Sequence, residues 1–445
     1  MTAFIVVWLG QMVSMLASSM SHFGLTIWMY EHTGSATALG LMQVAFITPF
    51  LVLSPIAGVM VDRYNRKLMM MVSDLAAVIA TGGVFALLLL GRLEFWHLYV
   101  AAALNGLGNT FQWPAYSAAI TTMVPKAQYG RANGLMSLLE AGPAVVAPMV
   151  AGALLPLIGL VGILFLDFLT FFLAIGTLLL VVVPAPTRSR AGAEASGNLW
   201  HEAAYGFRYI FRRPSLLGLQ MVFFFGNLFF GMAYTLLPPM VLARTGNNSV
   251  VFGLVQSTGA IGAVVGGIAM SLWGGLRRRV HGVLLGWAIS ALGGMFIGLG
   301  RGLSVWLPAA FVGAVAGPLI NSSNQALWQA KVPPDLQGRV FSARRLIAWF
   351  TNPLSPILAG TLADFLFEPA LRSRSPLSAL AEPLVGSGPG AGMGLLIVLC
   401  SLLCLAVPLV ACTIPVIREA DILLPDHDAA VDGDDRDKPL ASISP

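Results

Sequence analysis

Four carboxylates sit inside long apolar runs of this chain: Asp74, Glu140, Asp167 and Asp364. An acid in such surroundings is expensive, and it is a candidate for loading a proton on one side of a barrier and releasing it on the other. A second set of groups is uncharged. Asn105, Asn109, Gln112 and Tyr116 follow one another at steps of four, three and four, which puts them on one face of a helix, with Trp113 beside them. Amides and aromatics in this arrangement suit a large, partly apolar solute with scattered carbonyls and hydroxyls. They suit a sugar less well and a multiply charged ion poorly. Hydrogen bonding between helices is the competing role for each of them. The third set is dense charge: in Gly58-Val-Met-Val-Asp-Arg-Tyr-Asn-Arg-Lys67, Asp62, Arg63, Arg66 and Lys67 crowd the gap between two apolar runs. That pattern predicts a tight loop at a membrane surface.

The elements that position these groups follow from composition and hydropathy. The chain has 445 residues, 57% apolar and 10% charged, whereas a soluble domain carries about 25% charged residues. It cannot cover a water-facing surface of its size, so an all-α polytopic membrane protein is expected. A net charge of +5, scattered along the chain, excludes a nucleic-acid partner. No cleavable signal peptide is expected, since Thr2 leads straight into an apolar run with no basic region before it. Runs of membrane-crossing length fall near 3–29, 36–60, 68–91, 97–122, 134–157 and 159–183, and again near 216–242, 250–275, 282–300, 304–328, 344–366 and 393–416. These are spans 1 to 12. With the N-terminus inside, twenty lysines and arginines fall on the inner side and five on the outer, so both termini are expected in the cytoplasm of a cell membrane.

Residues 184–215 separate six spans from six. Their second half, with Trp200, Ala204, Phe207 and Phe211 at helical spacing among basic residues, predicts an amphipathic helix on the inner leaflet. The expected organisation is a six-helix bundle over 1–183, this linker, a second bundle over 216–417 and an acidic cytoplasmic tail over 418–445, read as disordered. Cys400, Cys404 and Cys412 lie in the last span and are expected to be packed or lipid-facing thiols. The halves repeat one another. Thr33-Gly34 and Gly40-Leu41-x-Gln43 recur as Thr245-Gly246 and Gly253-Leu254-x-Gln256, and Pro148-x-x-Ala151-Gly152 recurs as Pro356-x-x-Ala359-Gly360. Val124-Pro125 with Gly130-Arg131 recurs as Val332-Pro333 with Gly338-Arg339. Duplicated halves imply a pathway at their interface, with binding near the midplane.

The charged loop, Gly-x-x-x-Asp-Arg-x-x-Arg-Lys, resembles the signature between helices 2 and 3 of the major facilitator superfamily, and twelve spans in a 6+6 repeat extend that resemblance along nearly the whole chain. Trp8-Leu-Gly-Gln11, Thr33-Gly34-Ser35 and Arg131-Ala-Asn-Gly134 after Val124-Pro125 resemble the branch that contains macrolide exporters and the enterobactin exporter. Leu362-Ala-Asp-Phe-Leu-Phe-Glu-Pro369 and Gly386-x-Gly-Pro-Gly390 look like loops of that branch. The superfamily's export pattern on span 5, a Gly-Pro among small residues, is represented by Gly142, Pro143, Pro148 and Gly152, with the glycines partly replaced. The arginine that many proton antiporters of the superfamily carry on span 4 is absent.

The resemblance implies the major facilitator fold, with spans 1, 4, 7 and 10 around a central cavity. On those spans Gln11, Asn105, Asn109, Gln112, Trp113, Tyr116, Asn227, Asn321, Asn324 and Gln325 become substrate-pathway candidates. Span 5 flanks the pathway, so Glu140 is the first candidate for proton coupling, with Asp167 second. Gly58, Asp62, Arg63, Arg66, Lys67 and Arg131 form the expected conformational switch. In it Asp62, which has no counterpart after span 8, pairs with cations and with the start of span 11 near Phe341 to Arg345. Asn65 stands at a position where the family has glycine, and it is expected to tolerate left-handed backbone. The function implied is secondary export of amphipathic small molecules, of drug, macrolide or siderophore type. It is expected to run by proton antiport as a monomer in the bilayer, with no cofactor, no metal and no enzymatic step. Uptake or lipid flipping on the same fold, or a transport-inactive sensor or assembly factor, are the alternatives.

Overall fold

In a computed structural model, which describes residues 2–63, 65–124, 129–181, 206–332, 334–373 and 376–424, the described residues form helices and no strand. Span 1 is Thr2–Thr33, span 2 Ala36–Arg63, span 3 Arg66–Leu89 and span 4 Phe95–Met123. Spans 7 to 10 are Pro214–Thr245, Ser249–Trp273, Arg279–Leu299 and Leu303–Lys331, and span 12 is Ala391–Thr413. Span 11 is assembled from Pro334–Trp349, Thr351–Leu362, a wide π-turn Ala363–Phe367 and Glu368–Arg372. Leu362 to Pro369 is therefore helical, as the run 344–366 predicts for most of it, and not a loop as the family resemblance implied.

Ten described stretches are long and apolar enough to cross a membrane. One of them, Gly142–Leu180, supplies two crossings because Gly159 (φ 66, ψ 179) breaks the helix Tyr129–Leu180. The break reverses the chain. Leu135, Gly142 and Leu155 meet Trp8, Met12 and Gly24 of span 1 in ascending order, whereas Leu160 and Thr177 meet Gly24 and Gly10 in descending order. Positive φ suits glycine, which has no Cβ to clash there. These two arms are spans 5 and 6, and the 29-residue span 4 completes twelve.

Capping residues fix where the spans begin and end. Asn65 Oδ1 accepts from the N–H groups of Lys67 and Leu68 at the start of span 3, and Asn248 Oδ1 does the same for Val250 and Val251 at span 8. Gly246 and Gly274 close spans 7 and 8 in left-handed geometry. Asn65 corrects the expectation attached to it: its backbone is extended (φ −65, ψ 118), and it serves as a cap, not as a glycine substitute.

The molecule has two distinct ends. Lys67, Arg208, Arg212, Arg213, Arg277, Arg278, Arg279, Lys331 and Arg418 mark a basic end. The joins 33–36, 155–160, 245–249 and 372–391 lie at the far end. At the basic end the Lys67 ammonium donates to Leu179 O (3.2 Å) and Val181 O (2.8 Å), the free carbonyls that close span 6. The start of the tail departs from the disorder expected of it, and the described end of the linker is helical there. Described from Gly206, the linker packs Tyr209 and Ile210 against the second half and leaves Phe211 exposed. The tail begins folded: Ala420 is buried, Asp421 Oδ2 accepts from Val280 N–H (3.0 Å) at the start of span 9, and Lys331 Nζ donates to Asp421 O (2.7 Å). Trp200, Ala204 and the rest of the tail lie outside the described residues.

Candidate functional site

The two halves meet along two seams of the same construction. In one, Gly40 of span 2 lies so close to span 11 that a Cβ there would stand 2.5 Å from Pro356 O. In the other, a Cβ on Gly253 of span 8 would collide with Pro148 O of span 5. Each seam closes a turn later: Gly360 sits against Thr37 and Gly152 against Ser249, whose hydroxyl donates to Gly152 O (3.0 Å). Only glycine allows backbones this close. These are the residues of the internal repeat, so the duplicated motifs are the seams themselves.

An unsymmetrical contact locks the first seam. Asp364, in the π-turn of span 11, accepts from Ser35 Oγ (2.6 Å), Thr37 N–H (2.8 Å) and Ala36 N–H (3.1 Å). A carboxylate from one half thus caps the first turn of a helix in the other, where free N–H groups favour negative charge. Among the described residues, the hydrogen bonds between halves all lie in the far part of the molecule.

Between the seams and the basic end lies a cavity of about 560 Å³ walled by both halves. Spans 1, 2 and 5 contribute His22, Thr26, Gln43, Pro143 and Pro148; spans 7 and 8 contribute Phe230, Tyr234, Phe252 and Gln256. Stacked Phe23 and Phe252, with centroids 4.8 Å apart, join span 1 to span 8 beside it. Gln43 and Gln256 are repeat partners and face the same space. Thr235 Oγ1 reaches Gln43 Oε1 at 3.5 Å. A second cavity of about 440 Å³ shares Phe230 and Ser290 with the first and runs into the second half, along Asn227, Asn321, Asn324, Arg344 and Trp349.

The buried acids form two clusters in the first half. Asp74 of span 3 is 4% exposed and accepts from Gln11 Nε2 of span 1 (3.0 Å) and Gln112 Nε2 of span 4 (2.8 Å); Gln112 also donates to Gln11 Oε1 (2.9 Å). Asp167 of span 6 is 1% exposed and accepts from Ser18 Oγ (2.9 Å), with the Ser21 and Thr81 hydroxyls beside it and Oδ2 without a partner. No cation pairs with either among the described residues. A buried acid held by neutral groups alone has the surroundings of a proton site, since ionisation without a counter-charge is expensive there.

The sequence-derived candidates divide accordingly. Asn227, Asn321, Asn324, Pro143 and Pro148 line the cavities. Gln325 lies behind the wall, accepting from Arg344 Nη2 (2.6 Å), and Gly142 faces Met12. The span 4 stripe does not line either cavity: Gln112 is bound to Asp74, Tyr116 is buried beside Phe4, Asn105 is half-buried and Asn109 is exposed. Gln11 is likewise bound to Asp74 rather than open to the pathway. Gly58, Asp62, Arg63, Arg66, Trp113, Arg131 and Glu140 are described as helix backbone only, and their surroundings lie outside what the structure describes. Sequence reasoning passed over Gln43 and Gln256, although their place in the repeat was the signal, and it marked Asp364 as a carboxylate in an apolar run without pointing to the helix it caps.

Residues 7–356 match the family model of the Major Facilitator Superfamily. Macrolide efflux protein A of Streptococcus pyogenes is 26% identical over 367 residues, which cover 81% of this chain and 89% of that protein. Multidrug efflux pump Tap of Mycolicibacterium fortuitum is 29% identical over 353 residues, 75% of this chain and 82% of that one. Among solved structures, a bacterial homolog of the human lysosomal transporter Spinster, in an inward-facing and unoccupied conformation, superposes with a TM-score of 0.67 at 16% identity, covering 92% of this chain and 96% of that chain.

Proposed function

This chain belongs to the major facilitator superfamily, and on that footing we propose that it exports amphipathic small molecules in exchange for protons by alternating access. The observation that carries this reading is the cavity of about 560 Å³ between the halves, mostly apolar with a few amides and hydroxyls, beside seams built alike in both halves. Such a space suits a bulky, partly apolar solute. The efflux relatives, each aligned over most of its length, support outward movement of such molecules.

The bundles 1–183 and 216–417 rock against each other. The basic end, with both termini, faces the cytoplasm, in keeping with the preference of lysine and arginine for that side. With the far seams closed, solute enters from the cytoplasmic side. When they part, Asp62 takes over as the cytoplasmic latch at the start of span 11. Asp74 and Asp167 are the proton carriers supported by burial among neutral donors, and Glu140, the first candidate from the sequence, is the third.

The test is drug uptake into everted vesicles or proteoliposomes with an acidic interior. A lipophilic drug accumulates in vesicles bearing the wild-type chain, a protonophore abolishes the accumulation, and vesicles without the chain lack it. Accumulation that ignores the proton gradient would refute antiport, and no movement of any amphipathic drug would refute export.

A further inference from the structure

The second cavity differs in chemistry from the first. Its wall carries two guanidinium groups, Arg344 and Arg345, and no carboxylate lines either cavity among the described residues. Arg344 is held in place: Gln325 Oε1 accepts from its Nη2 at 2.6 Å, its backbone carbonyl accepts from Gln220 Nε2 at 3.1 Å, and its charge lies 5.0 Å from the Phe341 ring centroid. Its other terminal nitrogen, Nη1, is buried and has no acceptor. Asn324, 7% exposed and on the same wall, also has an amide oxygen without a partner. An amide can turn its NH2 outward in place of the oxygen, so each of these two residues has a donor to offer on the wall of the same cavity. Arg345 lies 4.0 Å over Trp349 and 5.9 Å from Phe50 of the first half, which places a cation beside two rings where the halves touch.

A buried N–H of a guanidinium with no acceptor is costly unless something fills the place. Arginine stays charged and offers a planar fork that fits carboxylate or phosphate. We infer that the second cavity is a binding site for the anionic group of an amphipathic molecule, a carboxylate or phosphate, held by Arg344 with Asn324, while its apolar body lies in the adjoining larger cavity past Phe230. This rests on the proposed reading of the cavities as the transport pathway and deepens it. The preferred cargo is an amphipathic anion, and a cationic drug meets two like charges.

Dansylglycine, dansylglycinamide and dansylethylenediamine share one aromatic body and differ in charge. Their fluorescence is titrated against the full chain in phosphatidylcholine nanodiscs. A gained charge-assisted hydrogen bond makes the acid bind about tenfold or more tightly than the amide, with the amine weakest. Arg344→Gln removes that preference, with an unchanged helical circular-dichroism spectrum showing that the variant is folded; Arg344→Lys restores part of it. Equal affinity of acid and amide for the wild-type chain overturns the inference without any variant, as does a preference that survives Arg344→Gln combined with Arg345→Gln. Adding phosphatidylglycerol to the nanodiscs separates the sources. Competitive loss of dansylglycine identifies a lipid phosphate as occupant, and unchanged binding identifies a soluble organic anion; either outcome upholds the site. If the amide is bound and exported while the acid is not preferred, the anion site alone fails. If no probe is bound or moved, the pathway reading fails first.

Discussion

Asp74 and Asp364 are both acids in apolar runs, and their neighbours give them different work. Asp74 is held by two glutamines that join spans 1, 3 and 4, so a change of its charge is felt by three helices at once. Asp74→Asn keeps the shape and one accepting oxygen, loses the second acceptor because Nδ2 only donates, and removes the titration. Accumulation driven by a pH gradient is expected to disappear while downhill drug exchange persists, read as proton release per drug moved in proteoliposomes. Driven accumulation at the wild-type rate would remove Asp74 from the mechanism. Asp364 instead caps a helix across the seam. Asp364→Ala removes a cap worth about 0.5–2 kcal/mol, which shifts a two-state balance about 2- to 30-fold toward the state open at the far end. Spin labels at Glu94→Cys and Leu380→Cys, exposed on opposite halves, would report it as growth of a longer distance; an unchanged distribution would mean the contact is incidental.

Among the elements, the glycine-lined seams matter more than any single span. A methyl group at position 40 must displace the Pro356 carbonyl, and one at position 253 the Pro148 carbonyl. Overpacking of this kind costs about 1–3 kcal/mol. Gly40→Ala and Gly253→Ala are each expected to shift the same label pair in the same direction as Asp364→Ala, because both seams must part together. A change at one seam that leaves the distance untouched would show that the far end does not open as a unit. Span starts are set locally: Asn65→Ala should lower thermal stability through loss of a cap worth about 1 kcal/mol without affecting drug binding, a comparison made by melting the purified chain with and without drug.

For the whole molecule, the proposed cycle requires the halves to separate at the far end. Gln43→Cys with Thr235→Cys, in a chain freed of Cys400, Cys404 and Cys412, places two thiols where the native side chains touch across the halves. A short reducible cross-linker there should stop transport, and reduction should restore it; full transport in the cross-linked chain would exclude rocking. Class, span number and symmetry were legible in the sequence, because hydropathy and length act locally and a duplication leaves its motifs in register. Even the Gly159 break fell at the expected division between spans 5 and 6. The site was less legible. A one-dimensional pattern marks Asn105, Asn109, Gln112 and Tyr116 as one helical face but not what that face meets, and packing turned Gln112 onto a buried acid rather than into the cavity. Arg344 stands at the inner start of span 11 in the sequence and lines the cavity in the fold. The sequence by itself determined a twelve-span duplicated membrane protein, since burying apolar length in a bilayer leaves few other solutions. Tertiary structure decided which polar groups face the pathway, because that depends on how neighbouring helices rotate and approach, and those choices are made by glycines and carbonyls far apart in the chain.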